Sequence, residues 1–144
     1  MINIRAAEVS DAVTIANLLE QLGYIASSSL VAHKITLLAG NPSDLVLVAE
    51  DDGIVAGVMS LHVTELFHAA GRIGRITSLV IASDKRGEGM GKLLIRAADA
   101  FFIAAGCVRS EVTSGNQRSE AHAFYQSNGY LPDERRFLKR YSQK

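Results

Sequence analysis

Sixteen consecutive residues constrain this chain more than any others: Leu79-Val80-Ile81-Ala82-Ser83-Asp84-Lys85-Arg86-Gly87-Glu88-Gly89-Met90-Gly91-Lys92-Leu93-Leu94. An apolar run of strand type passes through a basic, glycine-rich turn into residues spaced for a helix. Glycine costs a helix roughly 1 kcal/mol against alanine, so Gly87, Gly89 and Gly91 at alternate positions ask for a reason. One is conformational: glycine adopts positive φ and lets backbone come close to a ligand. The other is electrostatic. The first four amides of a helix have no internal partner, and the helix dipole makes that end partly positive. Backbone amides from Gly87 through Glu88, Gly89, Met90 and Gly91 to Lys92 are therefore placed to grip a diphosphate, with Lys85, Arg86 and Lys92 adding charge. The competing reading is a glycine-rich helix entry that binds nothing.

The spacing excludes two familiar phosphate loops. A mononucleotide loop ends Gly-Lys-Ser/Thr, and Leu93 follows Gly91-Lys92. A dinucleotide fingerprint needs Gly-x-Gly-x-x-Gly after the first strand. Here the pattern is Gly-x-Gly-x-Gly, and several elements precede it.

Those elements alternate in type from end to end. Residues 2–6 read as a strand, 10–22 as a helix capped by Ser10 and stopped by Gly23, and 30–39 as a second helix. In the first helix Val13, Ala16, Leu18, Leu19 and Leu22 mark the buried face; in the second, Val31, Ile35 and Leu38 do so. Runs 45–50 and 54–63 flank Asp51-Asp52-Gly53, a hairpin signal. After a turn at 66–71 come a strand at 73–81, a long helix from 88 or 89 to 105 closed by Gly106, a strand at 108–113, a helix at 119–128 and a last strand at 137–141. The order β-α-α-β-β-β-α-β-α-β(-β) predicts a mixed α/β fold, three layers deep, with helices on both faces of a central mixed sheet. At 144 residues, without a linker or repeat, the chain reads as one domain over 1–144.

Composition narrows the class. Cys107 is the sole cysteine, which excludes an internal disulfide and clustered-cysteine zinc sites. His33, His62, His68 and His122 lack ligand spacing, so no metal is expected. No apolar run reaches the ~18 residues of a membrane span, and the amino terminus lacks a signal-peptide pattern, so a cytoplasmic protein without membrane contact is expected. Net charge is zero, yet residues 1–71 carry eight acidic and two basic groups while 72–144 carry seven and thirteen. That asymmetry fits an anionic ligand in the second half, or random scatter over a solvated surface. A sequence pI of about 6.9 without a dense basic run argues against nucleic acid.

Arg86-Gly87-Glu88-Gly89-Met90-Gly91 resembles the Arg/Gln-x-x-Gly-x-Gly/Ala loop of the GNAT N-acetyltransferases. About 35 residues downstream, Ala121-His122-Ala123-Phe124-Tyr125-Gln126-Ser127-Asn128-Gly129-Tyr130 is similar to that family's Ala-x-x-Phe-Tyr-x-x-x-Gly-Phe/Tyr segment. The resemblance implies acetyl-CoA as co-substrate, its diphosphate on the loop and its pantetheine arm entering between two parallel strands that splay apart. The arm would pair with the main chain at Leu79, Val80 and Ile81, where an N–H polarises the thioester carbonyl. A pantetheine-binding asparagine falls at Asn116, with Arg118 at the family's usual position. Tyr125 stands at the tyrosine that protonates the departing thiolate; a core aromatic bonded elsewhere is the alternative. Ser78 stands where many members carry a glutamate base, and Glu111 on the neighbouring strand is the substitute by position, with Glu65 and His68 as others.

Residues 61–81 and 111–140 resemble the aminoalkylphosphonate N-acetyltransferase branch. With Arg72, Arg75, Arg118 and Arg136 as a basic wall, the resemblance implies a small anionic or zwitterionic amine as acceptor. A protein amine or an aminoglycoside are the alternatives, as is a module that binds acyl-CoA without catalysis. It also implies a homodimer, which Phe137 and Leu138 could support.

Overall fold

A computed structural model of the chain describes residues 1–113, 119–133 and 135–142. Its contacts divide into two compact units, Met1–Thr113 and Ser114–Lys144.

In the first unit β1 (Ile2–Ala6), β2 (Asp44–Asp51), β3 (Ile54–Glu65), β4 (Arg72–Ile81) and β5 (Cys107–Val112) form one sheet in the order β1-β2-β3-β4-β5. The first three pairings are antiparallel. β4 and β5 are parallel, which requires a crossover, and α3 (Met90–Ala104) supplies it. α1 (Ala12–Gln21) and α2 (Ser28–Ala39) lie between β1 and β2 in the chain.

Alternation along the strands sorts the core into two layers of packing. Val48, Val58 and Val80 occupy one cross-strand row and pack with Ala12, Ile15 and Leu18 of α1 and Val31 and Ile35 of α2. Their neighbours Ala49, Gly57 and Ile81 face the other way. A side-chain atom on Gly57 would meet Ile81, Met90 and Ala49, so the amino-terminal end of α3 docks there. Farther along, Phe102 of α3 covers Gly74 of β4. The three layers expected from the sequence, α1/α2, sheet and α3, are present.

The helix starts differ from expectation. Residues Val9–Asp11 form a short 3-10 turn leading into α1, so Ser10 is inside the turn rather than its cap, and Val13 is exposed. Displacing the start rotates the inward face onto Ala12, Ile15 and Leu18. α2 begins earlier than expected, because the Ser27 hydroxyl accepts the Leu30 N–H.

The second unit contains α4 (Ser119–Ser127). The helix stops in a Schellman turn: Gly129 has φ +94°, its N–H donates to Gln126 O at 3.2 Å, and the Tyr130 N–H donates to Tyr125 O at 3.0 Å. The expected strand at 137–141 does not form. Residues 135–142 carry no strand, and Phe137, Leu138 and Tyr141 are exposed. An apolar pattern proposes a strand, but pairing makes one, and Arg135, Arg136, Lys139 and Arg140 crowd this short run with charge.

Candidate active site

The strand end and the glycine turn form one continuous feature. β4 pairs with β5 from Arg72 only as far as Ile76, opposite Val112. Beyond Ile76, Ser78, Leu79, Val80 and Ile81 pair with β3 on one side and, among the described residues, with no β5 residue on the other. In an antiparallel pair successive residues turn their N–H and C=O alternately toward and away from the partner. Alternate residues of this stretch therefore turn their main chain away from β3.

The turn that follows is built for positive φ. Gly87 and Gly89 have φ +83° and +88°, with nothing within 4 Å of a would-be side chain at either. Conformation, rather than crowding, requires glycine there. Gly89 is the N-cap of α3 and brings no capping side chain, so the first-turn amides of Met90, Gly91 and Lys92 lack that partner. Met90 is buried, anchoring the turn, while Arg86, Gly87, Glu88, Gly89 and Lys92 are exposed. Two cations lean elsewhere. The Arg86 Nε donates to Ile81 O at 3.2 Å, tying the turn to the strand end. Lys85 sits 3.4 Å from Asp51, whose carboxylate holds its ammonium above the ordinary range.

Beside Thr77 a row of polar groups crosses the sheet. Register sets Asp44 of β2 opposite His62 of β3, His62 opposite Arg75 of β4, and Arg75 opposite Glu111 of β5. Asp44 Oδ1 lies 2.8 Å from His62 Nδ1, and His62 Nε2 lies 2.7 Å from Thr77 Oγ1. Thr77 Oγ1 is also 2.7 Å from Ser60 Oγ. Arg75 donates to Glu111 Oε1 and to Thr113 Oγ1, both at 3.2 Å, while Arg109 donates to Glu111 Oε2 at 3.2 Å. Sequence reasoning singled out Glu111 and missed the Asp44–His62–Thr77 chain.

Tyr125 belongs to the second unit. Its ring meets Phe124 edge-on at 5.4 Å and Tyr130 at 5.9 Å. The Gly129 stop brings Tyr130 back over Tyr125, which gives the glycine and the final aromatic of that segment a physical purpose. Asn116 and Arg118 lie outside the described residues. Arg72 pairs with Glu65 at 2.6 Å. Among the described residues no cluster of three histidine, cysteine or acidic side chains could hold a metal ion, and no helix is long and apolar enough to cross a membrane.

A mixed five-stranded sheet with a left-handed glycine turn leading from its fourth strand into the crossover helix defines an α/β domain. Residues 42–132 match the acetyltransferase (GNAT) domain family. The chain belongs to that family, a family of acyltransferases. Over 88 residues it is 35% identical to an aminoalkylphosphonate N-acetyltransferase of Salmonella typhimurium, covering 61% of this chain and 57% of that one. The match thus spans little more than half of that relative's length. An N-acetyltransferase of Bacillus subtilis, YhfO, which carries no assigned substrate, is 30% identical over 135 residues and 91% of each chain. The fold superposes on the glucosamine-6-phosphate N-acetyltransferase of Arabidopsis thaliana with a TM-score of 0.83 at 20% identity, covering 99% of each chain.

Proposed function

We propose that this protein transfers the acetyl group of acetyl-CoA to the primary amine of a small anionic or zwitterionic metabolite. The observation that carries the proposal is the continuity of residues 78–81, which among the described residues pair only with β3, with a left-handed glycine turn that gives the start of α3 no side-chain cap. In this reading the diphosphate lies on amides between Gly87 and Lys92. The pantetheine arm adds to the side of β4 away from β3 at Leu79, Val80 and Ile81.

The chemistry follows from that placement. An N–H at Leu79 or Val80 donates to the thioester oxygen and stabilises the negative charge that develops there. The neutral amine forms a bond to the carbonyl carbon and must shed a proton. Collapse breaks the C–S bond, and the electron pair leaves on sulfur. A thiol ionises near ~8.5 and a phenol near ~10, so the Tyr125 hydroxyl is a competent proton donor to the thiolate. Glu111, the carboxylate that the sequence suggests for the amine's proton, has each of its oxygens on a guanidinium, Arg75 on one and Arg109 on the other.

Two arginines around one glutamate leave a local excess of positive charge, which favours an acceptor bearing phosphonate, phosphate or carboxylate. The aminoalkylphosphonate relative supports the same class. Thiol release is to be measured with acetyl-CoA against aminoalkylphosphonates, amino acids, an aminoglycoside and a peptide amine. Turnover on the anionic amines is expected, and Tyr125→Phe should lower kcat about 10²-fold while acetyl-CoA still binds. Acetyl-CoA binding without turnover on any amine would instead mark a binding module.

A further inference from the structure

We infer that His62 is the proton acceptor for the attacking amine and acts through the hydroxyl of Thr77, an assignment that rests on the acetyltransferase reading above. Three observations converge on it. First, the chain of contacts has a direction. A carboxylate cannot donate, so the proton on His62 Nδ1 points to Asp44, 2.8 Å away. Nε2 of the neutral ring is then an acceptor, and Thr77 Oγ1 at 2.7 Å donates to it. Ser60 in turn donates to Thr77. Every hydroxyl proton in the row runs toward His62.

Second, the outer end of the row lies where the transfer takes place. Opposite Ser60 and Leu61 the β4 partners are Ser78 and Ile76, which leaves Thr77 as the extra residue of a β-bulge. The bulge coincides with the last β4–β5 pair, at Ile76 and Val112. Thr77 is exposed there and stands two residues, roughly 7 Å along a strand, from Leu79. His62 is only part-exposed, and Asp44 less so.

Third, Ser78 stands on β4 with no carboxylate beside it, while Glu111 is engaged by Arg75 and Arg109. The row supplies a base that needs neither. As the N–C bond forms, the amine's proton passes to Thr77 Oγ1 while the Thr77 proton passes to His62 Nε2. The imidazolium that results is paired with Asp44 and later returns its proton to solvent. Asp44 is a positioning residue: it fixes the ring tautomer and offsets the charge.

The charged groups beside His62 across the sheet are Asp44 on β2 and Arg75 on β4, with Glu111 beyond Arg75. α1, which also packs on β3, carries only Glu20, and it is exposed. The test uses the full chain with acetyl-CoA and aminomethylphosphonate, read as thiol release across pH, with acetyl-CoA affinity from calorimetry as the check on folding. His62→Gln and Thr77→Val should each lower kcat about 10²-fold, with acetyl-CoA affinity kept within about twofold. The wild-type kcat/KM should fall more steeply toward acid pH than that of His62→Gln, whose remaining slope is the amine's own ionisation, and Glu111→Gln should keep the wild-type slope. Combining His62→Gln with Thr77→Val should cost no more than either alone, because the two act as one unit. Trifluoroethylamine, largely neutral at pH 7, should lose less than aminomethylphosphonate in His62→Gln.

Wild-type kcat and an unchanged acidic slope in both single variants would overturn the relay, as would a shallower slope in Glu111→Gln alone. Acetyl-CoA binding by the wild type with no turnover removes the relay and the transferase reading together but leaves the coenzyme site. No binding at all removes the coenzyme site as well.

Discussion

Asp11 closes the 3-10 turn ahead of α1 as a nearly buried carboxylate whose hydrogen-bond partners lie in the amino-terminal corner. Its Oδ2 accepts from Arg5 Nη1 at 2.8 Å and from the Glu8 N–H at 2.8 Å, and its Oδ1 accepts from Arg5 Nη2 at 2.9 Å. Arg5 also reaches Glu50 at 3.1 Å, so one guanidinium joins β1, the turn and β2. The Arg5 hydrogen bonds, assisted by the Glu8 amide, hold the Asp11 carboxyl below its ordinary range against the opposing effect of burial. A carboxyl whose folded pKa is depressed stabilises the fold above its unfolded pKa, ~3.9. That contribution disappears as pH falls through the lower folded value. Asp11→Asn should therefore cost about 2 kcal/mol at pH 7, the worth of a hydrogen-bonded charge pair. The gap between mutant and wild type in urea unfolding should narrow toward pH 3. An equal gap at both pH values would show that shape, not charge, is what Asp11 supplies. Neither this pair nor the His62 row was legible in sequence. Arg5 and Asp11 meet only because β1 turns directly into the helix, and no local pattern marks that.

At the scale of elements, α3 is held on β4 by an absence. A side-chain atom on Gly74 would run into the Phe102 ring, far inside contact distance. Gly74→Ala should thus cost about 1–3 kcal/mol, the usual penalty of overpacking, seen as a lower melting temperature. Phe102→Leu in the same chain should recover part of that loss, because the clash is with the ring. Additive losses would mean that the backbone, not Phe102, sets the constraint. The strands themselves were readable from apolar runs, and the hairpin from Asp51-Asp52-Gly53. Their register was not. Ala56 is an extra residue of β3 between the pairs Ala49–Gly57 and Glu50–Val55. Counting outward from the turn without that bulge sets Asp44 opposite Leu61; with it, Asp44 meets His62. A one-residue slip exchanges the faces of a strand, so the polar row is invisible until both bulges are known. The strand expected at 137–141 failed for a related reason: periodicity records which residues could face a partner, not whether one exists.

For the molecule as a whole, the question is which part of a chain carrying −6 in one half and +6 in the other would meet the coenzyme proposed above. Side-chain charge is the obvious answer, and the geometry argues against it. Lys85 is drawn to Asp51 and Arg86 to the Ile81 carbonyl, so the grip left to the turn is its main chain. Main-chain donors are set by φ, and a side chain at φ +88° is strained by about 1–2 kcal/mol, so Gly89 rather than Arg86 should control affinity. The readout belongs to the whole fold, because a ligand that binds only the native state stabilises all of it. At 100 times its Kd, acetyl-CoA should add about 2.7 kcal/mol. In a chain of this size that raises the melting temperature by about 5–10 °C. Gly89→Val should abolish most of this shift, and without ligand it should melt about 3–8 °C below wild type from the backbone strain alone. Lys85→Ala and Arg86→Ala should keep most of it, and raising salt from 50 to 300 mM should trim it only modestly, since screening acts on exposed charges. If the shift vanishes in Arg86→Ala and persists in Gly89→Val, the coenzyme is held by surface charge, and the turn's left-handed glycines serve only to start the helix.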